Sequence, residues 1–212
     1  MFVPYDLNDQ IIKDIKRTYS GTKFFNQNMN VGFNKLHRLL IALSDYKKIG
    51  YVQGINFIAA SLLWHCNEEY AYFILIKLFQ RLKIEEIYSE NLSMVEKKCN
   101  EFFTFVLEGS SNEIYKKLTG LDITPLMILA EWIITLGFST VPIERHINIV
   151  LGLFEKGWTY FYGLLLKYFR KLYPYFKNAD FAETLMIIKN NADPNIRKEF
   201  GIKLDWDKIT EC

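Results

Sequence analysis

An all-α fold is what this chain predicts, and three observations predict it. Apolar residues recur at i, i+3, i+4 and i+7 through most of the 212 residues, the spacing of helices that bury one face. No sustained period-2 alternation marks a strand. Prolines and several glycines fall between the apolar stripes, where helices start and stop. Roughly eight to ten helices, packed by ridges and grooves, would use this pattern up.

The elements follow in order. "IIKDIKRTYSG" buries Ile11, Ile12 and Ile15 on one helical face. Leu36, Leu39, Leu40 and Leu43 form the next stripe, and Gly50 closes it. Ile55, Ile58, Ala59, Leu62 and Leu63 follow the turn "YVQG". Asn67 offers a cap, and Glu68 and Glu69 suit the positive end of a helix that buries Ala71, Leu75, Leu78, Phe79 and Leu82. Leu92, Val95, Cys99, Phe102 and Val106 make a stripe stopped by Gly109, and Glu113 to Leu118 is a short helix closed by Gly120. Thr124-Pro125 predicts an N-cap with proline at the first helical position, and Pro142 repeats the device. Ile143, Ile147, Val150, Leu151 and Phe154 then run to Gly157, and Phe161, Leu164, Leu165, Tyr168 and Leu172 end before Pro174. Phe181, Leu185 and Ile188 predict one more helix, while "KLDWDKITEC" has no clear pattern. With no low-complexity linker and no repeat, residues 1–212 are read as one domain.

Composition narrows the function. Half of the chain is apolar and the net charge is +2, so neither disorder nor a strong attraction to nucleic acid is expected. Three cysteines, Cys66, Cys99 and Cys212, form no CxxC and fit a reducing compartment, with Cys99 a buried thiol. No apolar stretch approaches the ~18 residues of a membrane span, and the start lacks the blocks of a signal peptide. A cytoplasmic protein is expected. His37, His65 and His146 are scattered without metal-ligand spacing, so no metal is expected, and no phosphate-binding glycine motif is present.

Two stretches hold chemistry-bearing side chains. At about 100° per residue Arg17 falls opposite Ile15 and faces outward, within reach of Asp14, which can also meet Thr18. Lys13, Lys16 and Arg17 equally fit a solvated basic face. Gln53 sits in "YVQG", where a turn residue is ordinary, yet a helix N-terminus presents free N–H groups to an anion.

Together these stretches resemble the TBC domain of GTPase-activating proteins for Rab-family small GTPases. The first fingerprint stands as Ile11, Asp14 and Arg17, with Thr18 after it, and the second as Tyr51, Gln53, Gly54, Ile55 and Asn56. "LDITPLMILAEWIITLGFSTVPIERHINIVLGLFEKGWTYFY" is similar to the family's later region, with Trp132, Pro142, Gly157 and Trp158 at familiar places. Tyr19 stands where the family usually has proline, and Val150-Leu151 lie where it has tryptophan-aspartate. The segment that usually precedes the arginine helix is expected to be lacking from this TBC-like domain. The resemblance implies catalysis in trans: Arg17 neutralises charge on the transferred phosphoryl group, and Gln53 orients the attacking water. Asp14, Thr18, Tyr51, Gly54 and Asn56 would shape the site. GTP and Mg²⁺ would belong to the Rab, so the chain has no cofactor of its own and neither binds nor hydrolyses free GTP. The partner would bring it to endomembranes peripherally, in vesicle traffic. A non-catalytic Rab-binding or scaffold module of the same fold is the alternative, and a helical adaptor without a GTPase partner is a third reading.

Overall fold

The computed structural model describes residues 5–25, 31–46, 51–88, 93–190 and 193–211. Among them are thirteen α-helices and no strand, which bears out the all-α expectation. They divide into two compact units, Met1–Glu90 and Asn91–Cys212.

The first unit holds α1 (Tyr5–Arg17), α2 (Val31–Asp45), α3 (Ile55–His65), α4 (Glu68–Leu82) and the single turn α5 (Ile84–Ile87). α2 buries Leu36, Leu39, Leu40 and Leu43, and α4 buries Ala71, Leu75, Leu78, Phe79 and Leu82, both as the periodicity predicts. Each buried leucine contributes roughly 1.5–3 kcal/mol relative to exposure. The Asn67 side chain accepts from the Tyr70 N–H at 3.0 Å and caps α4. Between these helices lies α3, buried from Ile55 through Leu63 except at Phe57. It touches α1, α2 and α4. A helix enclosed on nearly every side has little exposed face for polar residues. Asn56, in its first turn, is consequently 0% exposed.

The second unit is built around α10 (Trp158–Phe176). α6 (Ser93–Asn100) packs on α8 (Pro125–Thr135), and α7 (Asn112–Gly120) precedes α8. α9 (His146–Lys156) and α11 (Phe181–Asn190) flank α10, and the tail forms α12 (Pro194–Glu199) and α13 (Trp206–Thr210). Tyr168 of α10 is fully buried between Trp132 and Trp206, and its hydroxyl donates to the Ile188 carbonyl at 3.1 Å. Tyr160 donates to the Thr210 carbonyl at 3.0 Å and ties α13 down.

Several elements depart from the pattern the sequence predicts. The helix count exceeds the predicted range because α5, α12 and α13 have only four to six residues, too few to show a period. The Val95–Cys99–Phe102 stripe does not reach Val106 as its buried member. Residues Glu101–Glu108 form a π-helix, whose wider turn carries Phe103 and Leu107 to the core. Gly109 keeps right-handed helical geometry at φ −70, so it does not stop that segment. Thr124 precedes Pro125 at the start of α8 but makes no side-chain cap. Pro142 opens a 3₁₀ turn, Ile143–Arg145, and α9 starts only at His146. Its buried face is therefore His146, Ile149, Val150 and Leu153, while Ile147 and Leu151 are exposed. His146 takes an apolar position because its Nε2 lies 2.8 Å from the Val141 carbonyl. Pro174 does not end α10: it lies in the last turn, and buried Phe176 anchors the helix beyond it. In α11 the buried residues are Thr184, Ile187 and Ile188, whereas Phe181 is exposed. Gly50, Leu92 and Cys212 lie outside the described residues.

Cys99 is a buried free thiol, as predicted, and burial, with the nearby Glu96 carboxylate, pushes its pKa up to about 12. Cys66 is also free, half-buried at the end of α3, with Sγ–H donating to the Leu62 carbonyl at 3.2 Å. Thiol labelling in native buffer at about pH 8 should modify Cys66 at least about tenfold faster than Cys99, with the difference abolished in denaturant.

Candidate functional site

The site is assembled where α1 ends and α3 begins, entirely within the first unit. Amphipathic α1 turns Ile11 and Ile15 into the core, which leaves Arg17 on the outside with 51% of its side chain exposed. Asp14 sits between the two faces and is 4% exposed. Its Oδ1 is 2.6 Å from an Arg17 terminal nitrogen. One residue past α1, the fully buried Thr18 donates its hydroxyl to the Asp14 carbonyl at 2.6 Å.

The second part of the site enters through the turn at residues 51–54. Gly54 has φ 116, a backbone conformation that side chains with a Cβ rarely adopt. That conformation turns the chain into α3 and leaves Gln53 exposed at the turn. The Gly54 N–H donates to Asn56 Oδ1 at 2.9 Å, and the Asn56 amide nitrogen donates to Thr18 Oγ1 at 2.7 Å. Tyr51 closes the circuit: its hydroxyl donates to Asp14 Oδ2 at 2.7 Å and lies 3.3 Å from Asn56 Oδ1. Burial, then the hydrogen bond to Asp14 and its charge, raise the Tyr51 phenol well above its ordinary value of 10.0, so it remains a donor.

The structure thus joins Asp14, Arg17, Thr18, Tyr51, Gly54 and Asn56 in one hydrogen-bonded frame. Arg17 is the exposed member of the frame and Gln53 is exposed beside it, each one residue from an atom bonded to the Asn56 side chain. Such a frame, with polar groups satisfied behind two exposed side chains, suits the presentation of a cation and an amide to a charged ligand. Asp14 meets Arg17 through its carboxylate and Thr18 through its carbonyl, from a buried position where the sequence suggested the helix surface. Ile12 is half-buried where full burial was expected. The contact of Tyr19 with Phe57, at a ring-centroid separation of 5.5 Å, carried no sequence signal, since neither residue stands in a periodic position of the site.

The profile of the Rab-GTPase-TBC domain matches residues 4–177, running through both units. The chain belongs to the Rab-GTPase-TBC domain family. Its similarity to "TBC1 domain family member 4" of Mus musculus is 31% identity over 148 residues, which is 69% of this chain and 11% of the relative. To "GTPase-activating protein gyp2" of Schizosaccharomyces pombe it is 28% over 153 residues, 72% of this chain and 21% of the relative. This TBC chain therefore spans about a fifth or less of the length of these curated relatives. Its fold is that of the Chlamydomonas flagellar RabGAP TBC domain, with a TM-score of 0.73 at 20% identity, covering 97% of this chain and 67% of that one. The Ypt/Rab-GAP domain of Gyp1p gives 0.71 at 14% identity, covering 97% and 74%. Among the described residues of this TBC chain, no single helix is long and apolar enough to cross a membrane.

Asn56→Ala leaves the Gly54 N–H and the Thr18 hydroxyl without their buried partner, and should destabilise the chain by about 2–4 kcal/mol in urea unfolding. A second outcome concerns alkaline pH. Unfolded, Tyr51 releases its proton above about pH 10; folded, it keeps it, so stability falls with rising pH by about 1.4 kcal/mol per pH unit for this residue. That full slope is reached about one unit above pH 10, so Tyr51→Phe should remove about 1 kcal/mol of the fall in unfolding free energy between about pH 10 and 11.

Proposed function

We propose that this TBC domain accelerates GTP hydrolysis by a Rab-family small GTPase, with Arg17 and Gln53 inserted together as catalytic residues. The observation that carries the reading is the shared frame: Thr18, which follows Arg17, and Gly54, which follows Gln53, are both hydrogen-bonded to the buried Asn56 side chain. Phosphoryl transfer needs positioning and charge stabilisation more than covalent help, and an arginine supplied in trans contributes ~10³–10⁵ in rate. The Arg17 fork suits the transferring oxygens. The Gln53 amide donates and accepts at once, as a water held against phosphate requires. GTP and Mg²⁺ are carried by the partner, and the chain itself neither binds nor hydrolyses free GTP. The names of the relatives support the partner class, and a Rab would bring the chain peripherally to endomembranes, in vesicle traffic. One observation favours the scaffold reading: Arg17 already has an anionic partner in Asp14 at 2.6 Å. That pair is half exposed on the arginine side, where such pairs are worth about 1 kcal/mol or less, so a phosphoryl group can compete for it.

A panel of GTP-loaded Rabs, followed by single-turnover phosphate release, tests the proposal. Arg17→Lys keeps the charge but loses the planar fork, and should slow stimulated hydrolysis on the order of 10²-fold. Lys16→Ala, one residue away, should stay within about twofold. Gln53→Ala should remove most of the stimulation, and a Rab lacking its own catalytic glutamine should still respond to the parent chain. Equal effects at Arg17 and Lys16 would reduce Arg17 to surface charge. Binding of GTP-loaded Rab without acceleration would establish the scaffold reading.

A further inference from the structure

The chain leaves α1 through a left-handed turn. Tyr19 has φ 46, a region where a bulky side chain is rare and where glycine or asparagine usually ends a helix. That turn swings the tyrosine onto α3. Its ring meets Phe57 edge-on at 5.5 Å and Phe25 at 6.0 Å, and its hydroxyl donates to the Phe57 carbonyl at 3.4 Å. Its own carbonyl accepts from both the Thr22 N–H at 2.9 Å and the Thr22 hydroxyl at 2.8 Å, which locks the following turn. Phe25, at the end of that turn, is 1% exposed.

Two consecutive residues thus tether the end of α1 to two consecutive residues of α3: Thr18 to Asn56, and Tyr19 to Phe57. Arg17 is the last helical residue before both tethers. From this we infer that Tyr19 is a positioning residue, holding the final turn of α1 against α3 so that the Arg17 guanidinium and the Gln53 turn keep a fixed separation. The inference rests on the proposed function for its catalytic consequence, and on the tethers alone for its structural one. A conformation unfavourable for tyrosine is kept because the ring and the hydroxyl need that direction. Glycine would adopt the same backbone with less cost but would tether nothing.

Two variants test this with the GTP-loaded Rab that responds most strongly in the panel. Tyr19→Gly permits the left-handed backbone and removes the tether; Tyr19→Phe keeps the ring and removes only the hydroxyl. Tyr19→Gly is expected to lower the maximal single-turnover rate by about 10- to 100-fold. Its half-saturating concentration should change by less than about threefold, the signature of lost transition-state positioning rather than lost binding. Tyr19→Phe should recover the rate to within about fivefold of the parent. A Tyr19→Gly chain with the parental maximal rate, or one altered only in half-saturating concentration, overturns the inference. A second measurement needs no GTPase. The NMR signals of the Asn56 side-chain amide should move in Tyr19→Gly toward those of a solvated asparagine, while backbone signals of α4 stay in place. Unchanged Asn56 signals overturn the inference. If no Rab responds to the parent chain, the proposed function fails, and the Asn56 signals still decide the role of Tyr19.

Discussion

A side-chain amide with no access to water has to find protein partners for its oxygen and nitrogen, and Asn56 finds them on two different segments. Its oxygen takes the Gly54 N–H and its nitrogen reaches Thr18. The constraint begins with α3, whose apolar surface leaves almost no outward face. Burial of α3 forces burial of its first turn, and a buried asparagine left unsatisfied would cost about 1–3 kcal/mol per group. The end of α1 and the turn at Gln53 are therefore tied together by the same requirement that keeps the helix core intact. Packing and site geometry are one problem here.

The second unit shows a related economy. Tyr160, Tyr162 and Tyr168 all lie on α10, and each hydroxyl bonds to a different neighbour: Thr210, Glu101 and Ile188. A tyrosine fills core volume while its tip satisfies a carbonyl or carboxylate at the far side. Glu101, held by both Lys98 and Tyr162, stands at the first residue of the π-helical stretch, where regular helical bonding gives way. These bonds fix the helices around α10.

Much of the first unit was legible because its helices are amphipathic or wholly apolar with the ideal period. The leucines of α2, the core residues of α4 and the outward angle of Arg17 all followed from 100° per residue. The site was legible only through a resemblance that paired two stretches far apart in sequence. Periodicity gives no distance between helices, so the bond from Asn56 to Thr18 could not be read from it. Elsewhere the pattern misled for local reasons. A π-helical turn replaced Val106 by Leu107, a hydrogen-bonded histidine displaced Ile147 from the buried face of α9, and a proline was tolerated in the last turn of α10. Each is a backbone or hydrogen-bond event that hydrophobicity does not encode.

The two carboxylate oxygens of Asp14 have a further consequence. One holds Arg17 and the other holds Tyr51, two residues from Gln53. Drawing the guanidinium away concentrates negative charge on the carboxylate and strengthens its remaining bond to the phenol. The end of α1 and the turn that carries Gln53 thus lean on a single carboxylate. Free energies of substitution at the two positions need not add, and a double-mutant cycle across Arg17 and Tyr51 has Asp14 as its physical wire.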